Sequence, residues 1–273
     1  MTTRAAAVAG SWYPQGSDAL AAEVDRHLRA ATTVRPLATV TAIIAPHAAL
    51  MYSGPVAAHA YRQLDGGWFD LAVLVGPAHA GGFDGVALWG RGGFESPFGV
   101  SPIDHHVADA LTAQSSSIRV MHRPHLREHS LEMQLPFLQR VAPHARILPL
   151  LMGWQTAETA IALGDALAAV VAGRRAVLIA SSDLSHYHDA LAAAKLDSVV
   201  IDHVERLDPD GLQASLDRNP HHACGGGPTV AVMRAARALG SRDAAILTYG
   251  DSGDVSGDKS SVVGYLAAVL GAR

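Results

Sequence analysis

Three apolar runs of strand length each lead into a histidine: TAIIAPH ends at His47, LAVLVGPAH at His79 and AVLIASSDLSH at His186. An uninterrupted apolar run bounded by turn residues reads as a strand buried on both faces. Such strands occur in sheets covered by helices on both sides, so these runs direct the chain toward an α/β architecture. They also constrain where chemistry can sit. Loops leaving the carboxyl ends of parallel strands converge on one crevice. If the three strands share a sheet, His47, His79 and His186 meet there despite their separation in sequence. Imidazoles gathered that way point to a metal or an acid–base site.

The remaining segments supply helices. DALAAEVDRHLRAA, residues 18–31, sets Leu20, Val24 and Leu28 at four-residue spacing and predicts an amphipathic helix capped by Ser17. Ser53 is expected to cap a helix running to about Leu64, with Gly54 and Pro55 in a first turn that tolerates them. Further helices are predicted over residues 105–113, 157–172, 190–207 and 229–239, and from near His129, where Pro136 marks a kink or a restart. Strands are predicted over 71–75, 83–89, 118–121, 147–152, 177–180, 244–249 and 262–269. This alternation implies a three-layer α/β/α sandwich with a mostly parallel central sheet. The last two strands have no predicted helix between them, so the sheet is expected to be mixed. With no repeat, linker or low-complexity segment, residues 1–273 read as a single domain.

Composition narrows the functional classes. A chain of 273 residues, 49% hydrophobic, can bury a substantial core. Its net charge of -4 and scattered basic residues leave no footprint for nucleic acid or an anionic membrane. The single Cys224 cannot form an internal disulfide, which favours a reducing compartment. The opening MTTRAAAVAGSWYP lacks a signal-peptide core, and no apolar run approaches the ~20 residues that cross a bilayer. A cytoplasmic location is expected.

Several motifs carry chemical potential. His47 and His79 follow proline-stiffened exits, APH and GPAH. SSDLSH holds Ser181, Ser182, Asp183, Ser185 and His186 but lacks the G-x-S-x-G elbow of a serine hydrolase. Asp183 reads either as an acceptor orienting an imidazole or as the cap of the following turn, and His186 as an acid–base group or a ligand. Cys224, in HHACGGGP, is either a small buried hydrophobe or, at a helix N-terminus whose dipole favours thiolate, a ligand or nucleophile. The glycines lack the lysine of a P-loop and the spacing of a dinucleotide fold. Asp251, Asp254 and Asp258 miss the EF-hand register, so their loop reads as a solvated turn. Glu128, His129 and Glu132 in REHSLEMQLP suit a helix start and read as mainly structural.

Taken together, AGSWYP, IIAPHAALMYSGPVAAHAY, VLVGPAH, EHSLEMQLPFL, SSDLSHY and ACGGGP, spread in order over residues 9–269, resemble the MEMO family. Its bacterial and archaeal members are named AmmeMemoRadiSam system protein B, after a gene neighbourhood shared with a radical-SAM protein. The resemblance implies a fold like the catalytic subunit of class III extradiol ring-cleavage dioxygenases, which hold Fe(II) with two histidines and a carboxylate. It further implies His47, His79 and Cys224 as metal ligands, with Asp183 and His186 as the site's other polar residues. His186 falls where the dioxygenases keep an acid–base histidine. A sulfur ligand in place of the carboxylate softens the donor set, so Fe(II) is expected first and copper as its competitor. Ala49 and Leu50 stand where the family pattern has Gly-Tyr, and Ala80 where a second histidine is common.

The function implied is that of a metal-dependent, dioxygenase-like oxidoreductase acting on a small chelating or aromatic substrate. Two alternatives stand beside it. One is a non-catalytic binding protein whose cleft takes a peptide or an anion, with Trp12 and Tyr13 as contacts. The other is a metal or redox homeostasis protein in which Cys224 is the sensitive element. Fold does not choose between them, and whether the chain is an enzyme stays open. The gene neighbourhood implies a functional link to the radical-SAM protein and the other product encoded there.

Overall fold

The apolar runs form the centre of a nine-stranded sheet. The structure is a computed structural model in which residues 3–31, 34, 36–66 and 68–273 are described. The first half of the chain runs β1 (Thr3–Arg4), α1 (Ser17–Ala30), β2 (Thr39–Ala45), α2 (Leu50–Arg62), β3 (Leu71–Pro77), β4 (Val86–Leu88), β5 (Gly93–Ser96), β6 (Gly99–Pro102), α3 (His105–Gln114), β7 (Ile118–Val120) and α4 (Leu135–Val141). The second half runs β8 (Arg146–Met152), α5 (Ala157–Val171), β9 (Ala176–Ser181), β10 (His186–His188), α6 (Ala190–Glu205), α7 (Pro209–Arg218), α8 (Gly226–Ala238), β11 (Asp243–Asp251), α9 (Gly253–Ser256) and β12 (Val262–Ala272).

In the large sheet β2, β9, β3 and β8 lie side by side and parallel. Antiparallel β12 joins β2, antiparallel β4 joins β8, and β11 and β10 pair with β12. The expected mixed sheet is therefore present. Strand periodicity of two divides the core. Ala42, Ile44, Val73 and Val75 face a helical layer built from α3 and α5–α8. Ile43, Ala45, Ala72 and Leu74 face the layer of α1, α2 and α4. The result is the three-layer α/β/α sandwich.

Local differences from the sequence reading have identifiable causes. Helix α2 starts at Leu50, so Ser53 lies inside it, and its hydroxyl donates to the Ala48 carbonyl (2.7 Å) instead of capping. The cap position of α1 is Gly16, and Ser17 is its first helical residue. No long helix begins at His129. Two 3-10 turns, Arg123–His125 and Glu132–Gln134, precede α4, and Pro136 is tolerated in its first turn, where its missing N–H costs nothing. The hairpin β5–β6 and helix α7 were not foreseen, and the last loop contains the single turn α9. Among the described residues, no helix is long and apolar enough to cross a membrane.

Candidate metal centre

Three adjacent parallel strands end level with one another. Ala45 of β2 pairs in register with Ser181 of β9, and β3 flanks β9 on the other side. Two residues beyond each strand end stand His47, Asp183 and His79. The backbone N–H groups of His47 (2.7 Å) and Ala48 (3.3 Å) both donate to Asp183 Oδ1, which ties the β2 exit to the β9 exit. Asp183 thus anchors His47 through its main chain. The imidazole itself is oriented by another residue.

That residue is Ser181. Its hydroxyl donates to the Ser130 carbonyl (2.6 Å), spending its only hydrogen. It also receives the Gln134 Nε2–H (2.8 Å). The remaining partner, His47 Nδ1 at 2.8 Å, must therefore be the donor. His47 is fixed as the Nδ1–H tautomer, which leaves Nε2 bare and 3.2 Å from Cys224 Sγ. Burial, followed by the nearby His79, pushes the His47 pKa down to about 3, so the ring is neutral.

His79 is set by a carboxylate. Glu128 Oε1 lies 2.8 Å from His79 Nδ1, and Oε2 accepts the His79 backbone N–H at 2.6 Å. Burial alone would raise the Glu128 pKa, but the bonds from His79 and from the Ser130 N–H outweigh it and hold it at about 2. An ionised carboxylate can only accept, so His79 carries a proton on Nδ1, and Nε2 is the nitrogen that Glu128 does not take up. A histidine whose second nitrogen is held by a carboxylate is the usual support of a metal-binding imidazole. His186 follows the same rule, with Nδ1 2.9 Å from the Leu184 carbonyl.

Cys224 reaches the cluster from the loop before α8. Its backbone N–H donates to the Asp183 carbonyl (3.2 Å), and its own carbonyl accepts from Gln155 Nε2 (2.7 Å). The glycines after it serve close packing. A Cβ at Gly225 would collide with the Ser181 carbonyl, and one at Gly227 would press on Met152 Sδ at 2.7 Å. They leave the backbone free to lie against the strand ends. The helix dipole does not decide the thiol's state as the sequence suggested. Burial pushes the Cys224 thiol well up, and the Asp183 and Glu128 carboxylates add to it. A bound cation would reverse that balance, since a coordinating thiol loses its proton outright.

Three groups of side chains place ligand atoms within 4.8 Å of one another: His47, His79 and Cys224; His79, Glu128 and His129; Asp183, His186 and Cys224. All five residues singled out from the sequence therefore belong to one neighbourhood. Two imidazoles and one thiol fit a first-row transition metal, whereas magnesium and calcium demand oxygen. The second group contains residues read from sequence as mainly structural. His129 stacks on His79 (centroids 4.5 Å apart), and Trp12 leans on His129 (4.2 Å). Tyr13 lies deeper, where its hydroxyl donates to Glu132 Oε1 (2.6 Å). A cleft of about 470 Å³ opens onto His79 and Cys224, with Trp154, Gln155 and Asp217 on its walls. Leu50, at a departure from the family pattern, is fully buried, so hydrocarbon packs where a phenol would stand.

The 123–132 segment that carries Glu128 is itself pinned. Buried Arg4 forms an ion pair with Glu132, donates to the Glu128 carbonyl, and donates Nε–H to the His125 carbonyl (2.7 Å). Glu132 also accepts the N–H groups of Ala7 (2.7 Å) and Val8 (3.0 Å). The chain's first strand thereby braces the carboxylate that orients His79.

Fold and site define a class: an α/β/α protein with two histidines and a cysteine clustered at the ends of parallel strands. The profile of the Memo-like protein family matches residues 4–269, and the chain belongs to that family. A MEMO1 family protein of Methanosarcina acetivorans is 41% identical over 273 residues, covering 99% of this chain and 100% of its own. One from Methanothermobacter thermautotrophicus is 38% identical over 271 residues, covering 96% and 98%. The crystal structure of an uncharacterized protein from Escherichia coli K12 superposes with a TM-score of 0.59 over 85% of this chain and 100% of that one. At 14% identity, that likeness speaks for the fold alone.

Proposed function

We propose that this chain is a mononuclear transition-metal protein in which His47, His79 and Cys224 hold iron(II), with copper as the competing metal. On this reading it acts as a dioxygenase-like oxidoreductase on a small chelating or aromatic substrate. The observation that carries the reading is the hydrogen bonding of the two imidazoles. Ser181 and Glu128 each take an Nδ1–H, which leaves Nε2 of both rings for a metal, and the two histidines and the cysteine each offer a ligand atom within 4.8 Å of the others. The resemblance to extradiol dioxygenases puts iron(II) first, and the soft sulfur donor brings copper into contention.

When bound, the metal supplies Lewis acidity and a redox centre to a chelated substrate. The protein's own groups manage protons. His186, with Nδ1–H held by the Leu184 carbonyl, offers Nε2 to accept or return a proton. Asp183, whose carboxyl burial pushes up, lies in the same cluster and can hold a proton between turnovers.

Anaerobic reconstitution followed by metal analysis tests the reading. Close to one metal per chain is expected, lost in His47→Ala. O₂ uptake screened over catechols and other chelating aromatics should then find turnover that His186→Gln abolishes while metal content stays. A chain that retains no transition metal near equivalence overturns the proposal.

A further inference from the structure

A second groove, of about 1020 Å³, adjoins the metal cleft, and Ala78, Gly81 and Gly82 line both. Its walls combine two chemistries. Phe83, Met121 and Leu126 give it an apolar lining, and Leu126 is 53% exposed. Arg123 and Arg127 make it cationic, and no acidic side chain lines it.

These arginines differ from most others on the chain. Arg91, Arg140 and Arg234 each grip a carboxylate through two bonds, to Asp109, Asp25 and Asp165. Among the described residues, Arg123 and Arg127 find neither an ion-pair partner nor a side-chain hydrogen bond, although both stand in a protein of net charge -4. His122, on the groove wall, adds a second observation. His122 Nε2 is buried without a partner among the described residues, and its ring packs 4.2 Å from Trp89 behind the wall, whose Nε1 is likewise buried and unpartnered there. Trp89 is only 1% exposed, and its indole nitrogen can only donate. Buried donors without acceptors are rare enough in native proteins to require an explanation.

We infer that this groove is a binding subsite for a small organic anion, with a carboxylate, sulfonate or phosphate facing Arg123 and Arg127 and an apolar body on Phe83, Met121 and Leu126. An inorganic anion would leave the apolar wall in water, and a neutral ligand would leave both guanidiniums without a partner. The glycine saddle bears no side chain between groove and cleft, and a Cβ at Gly82 would strike the Trp154 ring. That the anion is the tail of the molecule chelated at His79 rests on the metal reading; the subsite itself does not.

Two dyes test it on the full, metal-free chain. 1-Anilinonaphthalene-8-sulfonate and N-phenyl-1-naphthylamine share a chromophore and differ by the sulfonate. Fluorescence titration should show the sulfonate binding roughly tenfold tighter, a preference that weakens with salt. The double variant Arg123→Gln/Arg127→Gln should erase the preference, and Arg123→Lys/Arg127→Lys should retain most of it. His47→Ala should leave it unchanged. Equal affinity for the two dyes, a preference that survives in the glutamine variant, or its loss in His47→Ala would each overturn the subsite. Both arginines are exposed, so folding is not at stake, and thermal unfolding of the variants verifies this. Failure of metal binding with the dye preference intact would strike the metal reading alone.

Discussion

Ser181→Ala isolates the step on which the metal reading turns. The hydroxyl is fully buried and serves three partners: His47 Nδ1, Gln134 Nε2 and the Ser130 carbonyl. Gln134 keeps a bond to the Pro46 carbonyl (3.1 Å), so its loss is partial. The Ser130 carbonyl and His47 Nδ1–H lose the partner described here. At about 1–3 kcal/mol for each of these two buried groups left unsatisfied, the metal-free protein should lose roughly 2–6 kcal/mol. His47 also loses the acceptor that fixes its tautomer. A ring free to carry its proton on Nε2 turns an N–H toward Cys224 and the metal position. Removing such an outer partner typically lowers metal affinity about 10–100-fold, or roughly 1.4–2.8 kcal/mol. Chelator-competition titrations under anaerobic conditions measure the affinity, and urea unfolding of the metal-free protein measures the stability. A variant destabilised as expected but with unchanged metal affinity would refute the argument. So would nitrogen-15 spectra of the wild-type imidazoles showing His47 protonated on Nε2.

Three further outcomes follow from the same network. Arg4→Met leaves Glu132 buried without its cation, and the loss should be about 3–5 kcal/mol in urea unfolding; a change under about 1 kcal/mol would contradict a structural role for the buried pair. Glu128 has a folded pKa of about 2, below its usual 4.5, so the stability it adds is complete above about pH 4.5 and is lost as pH falls through 2. The linkage amounts to roughly 3 kcal/mol, and Glu128→Gln should flatten acid unfolding curves in that window while weakening metal binding. Burial holds His47 and His125 at about 3, and His27 and His129 at about 4, all below the usual 6.5. For a depressed histidine, stability is present above 6.5 and falls with pH by about 1.4 kcal/mol per unit for each ring until its folded pKa is reached. Thermal midpoints should therefore drop steeply between pH 6.5 and 4, and a flat profile there would contradict the neutral, buried rings.

What was legible in the sequence follows from physics that acts locally. β2, β3 and β9 could be read because strands buried on both faces admit few polar residues, and the short exits after them left His47 and His79 little freedom to wander. Helix α7 escaped notice because only Leu212 and Leu216 mark its apolar face, within a stretch of turn-like residues. The hairpin β5–β6 was hidden in a run of glycine and proline that reads equally as loop.

The carboxylates of the site show where local reading reaches its limit. An acid near a helix start is read as a group that accepts neighbouring backbone N–H bonds, and Glu128 does so: Oε1 accepts from His129 and Ser130, each at 2.9 Å. The same oxygen also receives His79 Nδ1–H, from a residue 49 positions away. Asp183 likewise accepts N–H groups at the start of a turn, but the turn belongs to His47 and Ala48, on the neighbouring strand exit. In both cases the chemistry of the carboxylate was readable and its second partner was not, because that partner is chosen by strand order. The β2–β9–β3 adjacency makes a capping acid into the group that holds a histidine. Glu128→Gln should therefore perturb the site more than the turn in which it sits, since an amide oxygen in place of Oε1 keeps the His129 and Ser130 N–H bonds while the amide nitrogen, in place of Oε2, meets the His79 backbone N–H.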